Sequence, residues 1–195
     1  MKYQVKHLSY LYIICGAIAL FFSWITMTEK MAFEIDTAHV AVCDINSLIN
    51  CGTVMGSPQA AVFGFPNPFI GLIGFAVVIA IGFAILAGAN FKRWFWQGAQ
   101  LGMTFAMAFV YWLYYEAVFE ISALCIYCMI VWFSTIPLFW YTTVFNLKEK
   151  HIHLKGIPKK LSGKTTLIVM SLMYLVIIVP IIYRFWDQWK LMLGF

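Results

Sequence analysis

Apolar residues run without a single charge through five stretches of this chain, approximately residues 8–28, 68–90, 94–115, 121–147 and 165–183, and the charged residues gather between them. A helix needs about 20 mostly apolar residues to cross a hydrocarbon core roughly 30 Å thick. The pattern therefore predicts five transmembrane helices in one compact domain, an all-α integral membrane protein. The first stretch is too long for the apolar core of a secretory signal, and no small-residue cleavage site follows it, so it reads as a retained helix. Residues 29–67 form a connection too long for a turn, and within them 38–50 fit a short amphipathic helix with Val42, Ile45, Leu48 and Ile49 on its apolar face.

Composition agrees: 63% of the 195 residues are hydrophobic and 11% charged, against about 25% charged in soluble domains. The charges also orient the chain. With the N-terminus inside, the cytoplasmic side receives Lys2, Lys6, Lys92, Arg93 and every lysine of the 148–164 connection, while the outer side receives Lys30, Arg184 and Lys190. Positive residues are retained inside, so the N-terminus is expected in the cytoplasm, the C-terminus outside, and 29–67 on the extracytoplasmic face. The net charge of +5 gathers in a connection beside the membrane, which accounts for it without a nucleic acid.

Five cysteines narrow the chemistry. Cys15 lies in a wholly apolar stretch and reads as a small packing residue. The other four, Cys43, Cys51, Cys125 and Cys128, fall on the outer side, where disulfides persist. Cys125-Ile-Tyr-Cys128 opens the fourth stretch, where a helix N-terminus stabilises a thiolate and two cysteines three apart can bridge. A structural disulfide remains open there, whereas zinc is disfavoured because His39 is the only further outer ligand of the usual type. Cys43 and Cys51, eight apart in what reads as a mobile segment, supply a second pair, and two pairs make a relay by thiol–disulfide exchange.

Such electrons need an acceptor. The chain has no haem motif, flavin fold or Gly-rich nucleotide loop, and a lipid-soluble quinone fits what remains. Ser57, Asn67, Tyr127, Trp132 and Met55 are the candidates for contacting it. Ser57-Pro58 and Asn67-Pro68 also read as helix caps followed by proline, and Trp132 and Tyr127 as packing or interfacial aromatics; both roles stand open. Copper handling by cysteine and the ten methionines is a competing reading, but the methionines scatter without repeated spacing. Static disulfides are another.

Taken together, Cys43-Asp44, Cys51, Ser57, the Asn67 segment and Cys125-Ile-Tyr-Cys128, in this order and spacing, resemble the vitamin K epoxide reductase family over roughly residues 8–147. The resemblance implies a four-helix bundle around a quinone pocket, with the span after Thr165 as a fifth helix. It implies that Cys125 and Cys128 form the active-site disulfide, that Cys128 meets the quinone (menaquinone, ubiquinone or vitamin K), that Cys51 exchanges with Cys125, and that Cys43 faces the protein partner. Ser57 and Asn67 would hold the quinone carbonyls. Trp132 stands where the family has a tyrosine, and a form without the thioredoxin-like domain that some bacterial members carry is expected. The implied partner is a separate thioredoxin-fold thiol oxidase, and the implied location a bacterial plasma membrane. Reduction of vitamin K epoxide itself, as in animals, is the alternative. The related four-helix quinone reductases of periplasmic disulfide formation place their C-x-x-C before the spaced pair, the reverse of the order here.

Overall fold

A computed structural model of the chain describes residues 2–36, 39–152 and 163–193. It is helical throughout: α1 (Lys2–Ile35), α2 (Cys51–Gly56), α3 (Pro68–Leu86), α4 (Arg93–Tyr115), α5 (Ile126–Lys148), α6 (Gly163–Arg184) and α7 (Trp186–Leu193), with a 3-10 turn at Pro58–Ala61 and a π-helical turn at Glu116–Ile121. The only extended pairing among the described residues is an isolated bridge between Ile49 and Leu124.

Among the described residues, four helices are long and apolar enough to cross a membrane: Val5–Ile35, Pro68–Leu86, Ile126–Lys148 and Gly163–Arg184. The chain is thus an all-α membrane protein. α4 has 23 residues, enough length for a crossing, but it is less apolar because Gln97, Gln100 and Thr104 interrupt it. One of these has a specific use, since Gln100 bonds Thr143 at 2.9 Å and Asn146 at 3.0 Å on α5.

α5 is the hub: α1, α4 and α6 all pack on it, and α1 packs in addition along α3. Two apolar cores result, one joining α1, α3, α4 and α5 around Tyr12, Phe75, Trp96 and Leu138, the other joining α4, α5 and α6 around Tyr114, Trp132, Ile136 and Ile177. The buried hydroxyls of α5 are satisfied within the helix, Ser134, Thr135, Thr142 and Thr143 each donating to the carbonyl four residues back, as a medium without water requires. Thr142 also meets the Tyr12 hydroxyl at 2.6 Å, joining α5 to α1. α3 and α4, although neighbours in sequence, hardly touch.

Two features depart from the sequence reading. α1 runs seven residues beyond the predicted 28, to Ile35, because Glu29, Lys30 and Glu34 continue the helix and Lys30 is buried against α2. The helix predicted at 38–50 does not form over 39–50, which is turn and irregular chain. There Asn46 Oδ1 accepts from the N–H groups of Leu48 and Ile49, and Asp44 Oδ1 from that of Gly52; such local side-chain bonds offer the backbone an alternative to helix. Val42 and Ile45 of the expected apolar face are exposed, whereas Leu48 is buried. The basic connection predicted at 148–164 lies largely outside the described residues.

Candidate functional site

Cys43, Cys51, Cys125 and Cys128 converge. Cys43 and Cys51 are joined as a disulfide with Cα atoms 5.7 Å apart, and the sulfurs of Cys43, Cys51 and Cys125 lie within 4.8 Å of one another. Cys125 and Cys128 are free thiols. Ala41, Cys43, Cys51, Met55 and Cys125 form one buried cluster, against which Val54, Tyr127 and Cys128 pack.

Local bonds explain why distant cysteines meet. Leu124 N–H donates to the Leu48 carbonyl at 2.8 Å and Asn50 N–H to the Leu124 carbonyl at 3.0 Å, so the strand-like residues before Cys51 lie beside those before Cys125. Asn50 caps α2 through its side chain, accepting from Thr53 N–H at 2.7 Å. Asp44, next to Cys43, accepts from Gly52 N–H at 2.8 Å, next to Cys51. A Cβ at Gly52 would lie 2.7 Å from Asp44 Oδ2, so glycine is what lets the carboxylate dock. Asp44, Asn50 and Gly52 are thus structural parts of the site; the Asn-Cys-Gly-Thr string before an apolar run was a readable cap signal.

Cys125 is the N-cap of α5, and its sulfur accepts from Cys128 N–H at 3.5 Å. The Cys128 thiol hydrogen-bonded to it, outweighing the opposing effect of burial, holds the Cys125 thiol below its ordinary range, and the N–H groups of Cys128 and Tyr127 add to this. A thiolate at Cys125 faces the Cys43–Cys51 disulfide, the arrangement that exchange needs. Its exchange rate with Cys51 should rise with pH and reach half its plateau at a lower pH than an ordinary cysteine thiol does. Stopped-flow exchange across a pH series, beside a model cysteine peptide, checks this, and a midpoint at or above that of the peptide would remove the role given to Cys128.

Cys43 and Cys51, in the segment that reads as mobile, are 4% and 0% exposed. The pair is tied down by the Asp44 and Asn50 bonds, and access to Cys43 requires the 39–50 chain to yield. Val40, Val42 and Ile45, its neighbours in sequence, are exposed.

Beneath the cysteines lies a cavity of about 560 Å³, lined by residues of α1, α2, α3, α4 and α5 and almost wholly apolar. Met55, Asn67, Cys128 and Trp132 all line it. Ser57 does not; it borders a separate cleft of about 40 Å³ that touches Cys125, Cys128 and Trp132, and its hydroxyl donates to the Val54 carbonyl at 2.7 Å. Tyr127 borders neither space. One residue before Cys128, its side chain is turned about 100° around the helix and packs on Phe22 with ring centroids 5.9 Å apart. The predicted side-chain caps are absent as well: Ser57 and Asn67 precede proline as expected but cap neither helix with their side chains. Instead the Asn67 amide donates to the Gln59 carbonyl at 2.7 Å and accepts from Val62 N–H at 3.2 Å, pinning the turn above the cavity. Trp132 is 2% exposed and meets the Tyr114 ring edge-on. Cys15 packs at the margin of the α1–α3–α5 core. His39 bonds the Glu29 carboxylate at 2.9 Å instead of approaching the sulfurs.

Sequence reading missed Ser23 and Lys30, which also line the cavity. In the sequence Lys30 reads as a charge of the outer connection, and nothing in the pattern of apolar positions indicates that α1 carries it inward.

A membrane-embedded helical bundle in which a disulfide rests on a dithiol defines a class, the membrane thiol–disulfide redox proteins. The model of the vitamin K epoxide reductase family matches residues 10–143, more than half of the chain, and the protein belongs to that family. It is also 33% identical over 121 residues to the thiol-disulfide oxidoreductase LTO1 of Arabidopsis thaliana, a match covering 60% of this chain and 32% of that protein. The chain therefore corresponds to about a third of that relative.

Proposed function

We propose that this protein is a thiol:quinone oxidoreductase that reoxidises a thioredoxin-fold partner and passes the electrons through Cys43/Cys51 and Cys125/Cys128 to a membrane quinone. The observation that carries the reading is the stacking of two cysteine pairs, one disulfide and one dithiol, with the second pair opening on a large apolar cavity. In this scheme α4 also crosses the membrane, giving five spans, with the N-terminus cytoplasmic and the cysteine pairs at the extracytoplasmic surface, as in a bacterial plasma membrane.

The chain's own residues supply the steps. A partner thiolate attacks Cys43, a mixed disulfide forms and resolves, and the Cys51 thiolate attacks Cys125 in the Cys125–Cys128 disulfide. The Cys43–Cys51 bond re-forms while Cys125 and Cys128 become thiols. Quinone, when bound, supplies a two-electron, two-proton acceptor. Cys128 faces that acceptor, and Trp132, Met55 and the apolar walls exclude water from it.

The cavity suits menaquinone, ubiquinone or vitamin K. Its volume falls within the roughly 300–1,000 Å³ of small-molecule sites, and its walls are apolar with few polar groups. The lining that α3 and α4 contribute includes Gly74, Gly98 and Gly102, and a Cβ on any of these would meet nothing within 4 Å. That thin wall gives an isoprenoid tail a way out to the lipid. Ser57 and Tyr127, which border no part of this cavity, are left out of the proposed contacts.

Purified protein in detergent, given a reduced thioredoxin-fold thiol oxidase and decyl-ubiquinone or menadione, is expected to form one quinol per partner disulfide. Partner oxidation without quinol, or quinol without partner oxidation, would defeat the reading.

A further inference from the structure

Lys30 is the single charged residue among the described residues that line the cavity. It is 7% exposed, and an ammonium buried in apolar surroundings costs several kcal/mol even after relaxation. Its environment offsets this in part. Nζ donates to the Met55 carbonyl at 2.8 Å and lies 3.1 Å from Glu34, one turn along α1, whose carboxylate is half exposed. An ammonium has three N–H groups, so one remains.

Its position is defined at both ends. Met55, whose carbonyl it holds, packs in the same cluster as Cys51 and Cys125, with Cys128 against it. The positive charge therefore sits at the cysteine end of the cavity. A neutral donor could hydrogen-bond a carbonyl without the cost of a buried charge, and the charge is what sets Lys30 apart from the cavity's other polar groups.

We propose that Lys30 is the anion-stabilising group of this cavity, donating its remaining N–H to the quinone oxygen that gains negative charge as Cys125 and Cys128 are oxidised. This rests on the thiol:quinone reading above. In the step two electrons and two protons pass from the thiols to the bound quinone, giving quinol, while an S–S bond joins Cys125 to Cys128. Lys30 ends the step as protonated as it began. A fixed positive charge in a dry site is worth far more than in water and needs no rearrangement as the reaction proceeds.

Two measurements test it. In the first, binding to the oxidised protein is followed by tryptophan fluorescence for 1,4-naphthoquinone and for 2-hydroxy-1,4-naphthoquinone, which is ionised at neutral pH. The native protein should prefer the anion, Lys30→Gln should lose at least about tenfold of that preference, and Lys30→Arg should keep most of it. A purely structural clamp on Met55 would change affinity for both ligands alike, and equal discrimination in Lys30→Gln and the native protein overturns the proposal.

In the second, pre-reduced protein is mixed with decyl-ubiquinone. Quinol formation by Lys30→Gln should slow about 100-fold, the lower end of what removing one preorganised donor costs, while reduction of the Cys43–Cys51 disulfide by dithiothreitol keeps its rate. Slowing of both half-reactions together assigns Lys30 to structure and overturns the proposal. Absence of quinol from the native protein removes the quinone reading and this inference with it, whereas a native protein that turns over beside an unaffected variant removes the inference alone.

Discussion

Replacing Cys128 with alanine is expected to lower quinol formation by about 1,000-fold or more, as loss of a reacting nucleophile does, while leaving the fold intact. The side chain is small, it packs at the edges of the cysteine cluster and of the α4–α5–α6 core, and alanine suits the first turn of α5. The same variant should leave a chemical trace. The Cys125 sulfur is within 4.8 Å of those of Cys43 and Cys51, and without Cys128 its thiolate can attack Cys51 but the product cannot be resolved from within α5. The Cys51–Cys125 disulfide should accumulate with one free thiol at Cys43, in balance with the bond that broke. Peptide mass spectrometry after alkylation reads both. Undiminished turnover, or a bond from Cys125 to Cys43 instead of Cys51, would refute the assigned order of the relay.

That order depends on small polar residues which the apolar pattern does not reveal. The long helices were legible because a membrane demands uninterrupted apolar runs, and such runs can be counted. Their ends were not, since Glu29, Lys30 and Glu34 look like a loop in sequence yet continue α1 once Lys30 finds the Met55 carbonyl. The 38–50 stretch has apolar residues at helical spacing, but Asp44, Asn46 and Asn50 each bind a backbone N–H and bend it into turns. The cysteine motif was legible as chemistry, because two pairs in one membrane chain have few uses. The cavity contacts were less so: Asn67, Met55 and Trp132 border the cavity with Cys128, while Ser57 and Tyr127 face elsewhere. Sequence distance along a helix says little about which face a side chain takes.

The helix packing beneath the site carries the other large effect. α1 and α3 approach closely through glycines, and a Cβ on Gly82 would lie 2.8 Å from Ile13 Cγ1, 3.1 Å from the Ser9 carbonyl oxygen and 3.1 Å from Tyr12 Cβ. The Ser9 contact is backbone and cannot turn aside. Gly82→Leu must therefore push α1 away, and Tyr12, fully buried, would lose its 2.6 Å bond to Thr142 on α5. Overpacking costs about 1–3 kcal/mol, and a buried interhelical hydrogen bond in a membrane protein adds roughly 0.6 kcal/mol, so a loss near 3 kcal/mol is expected. Gly74 is the control. A Cβ there meets nothing within 4 Å, and Gly74→Ala should be neutral or stabilise by up to about 1 kcal/mol through helix propensity. Denaturant titration in mixed micelles, followed by tryptophan fluorescence, compares the two. Equal stability of Gly82→Leu and the native protein would mean that α1 and α3 do not meet as closely as described, and the cavity they enclose with α4 and α5 would have to be redrawn.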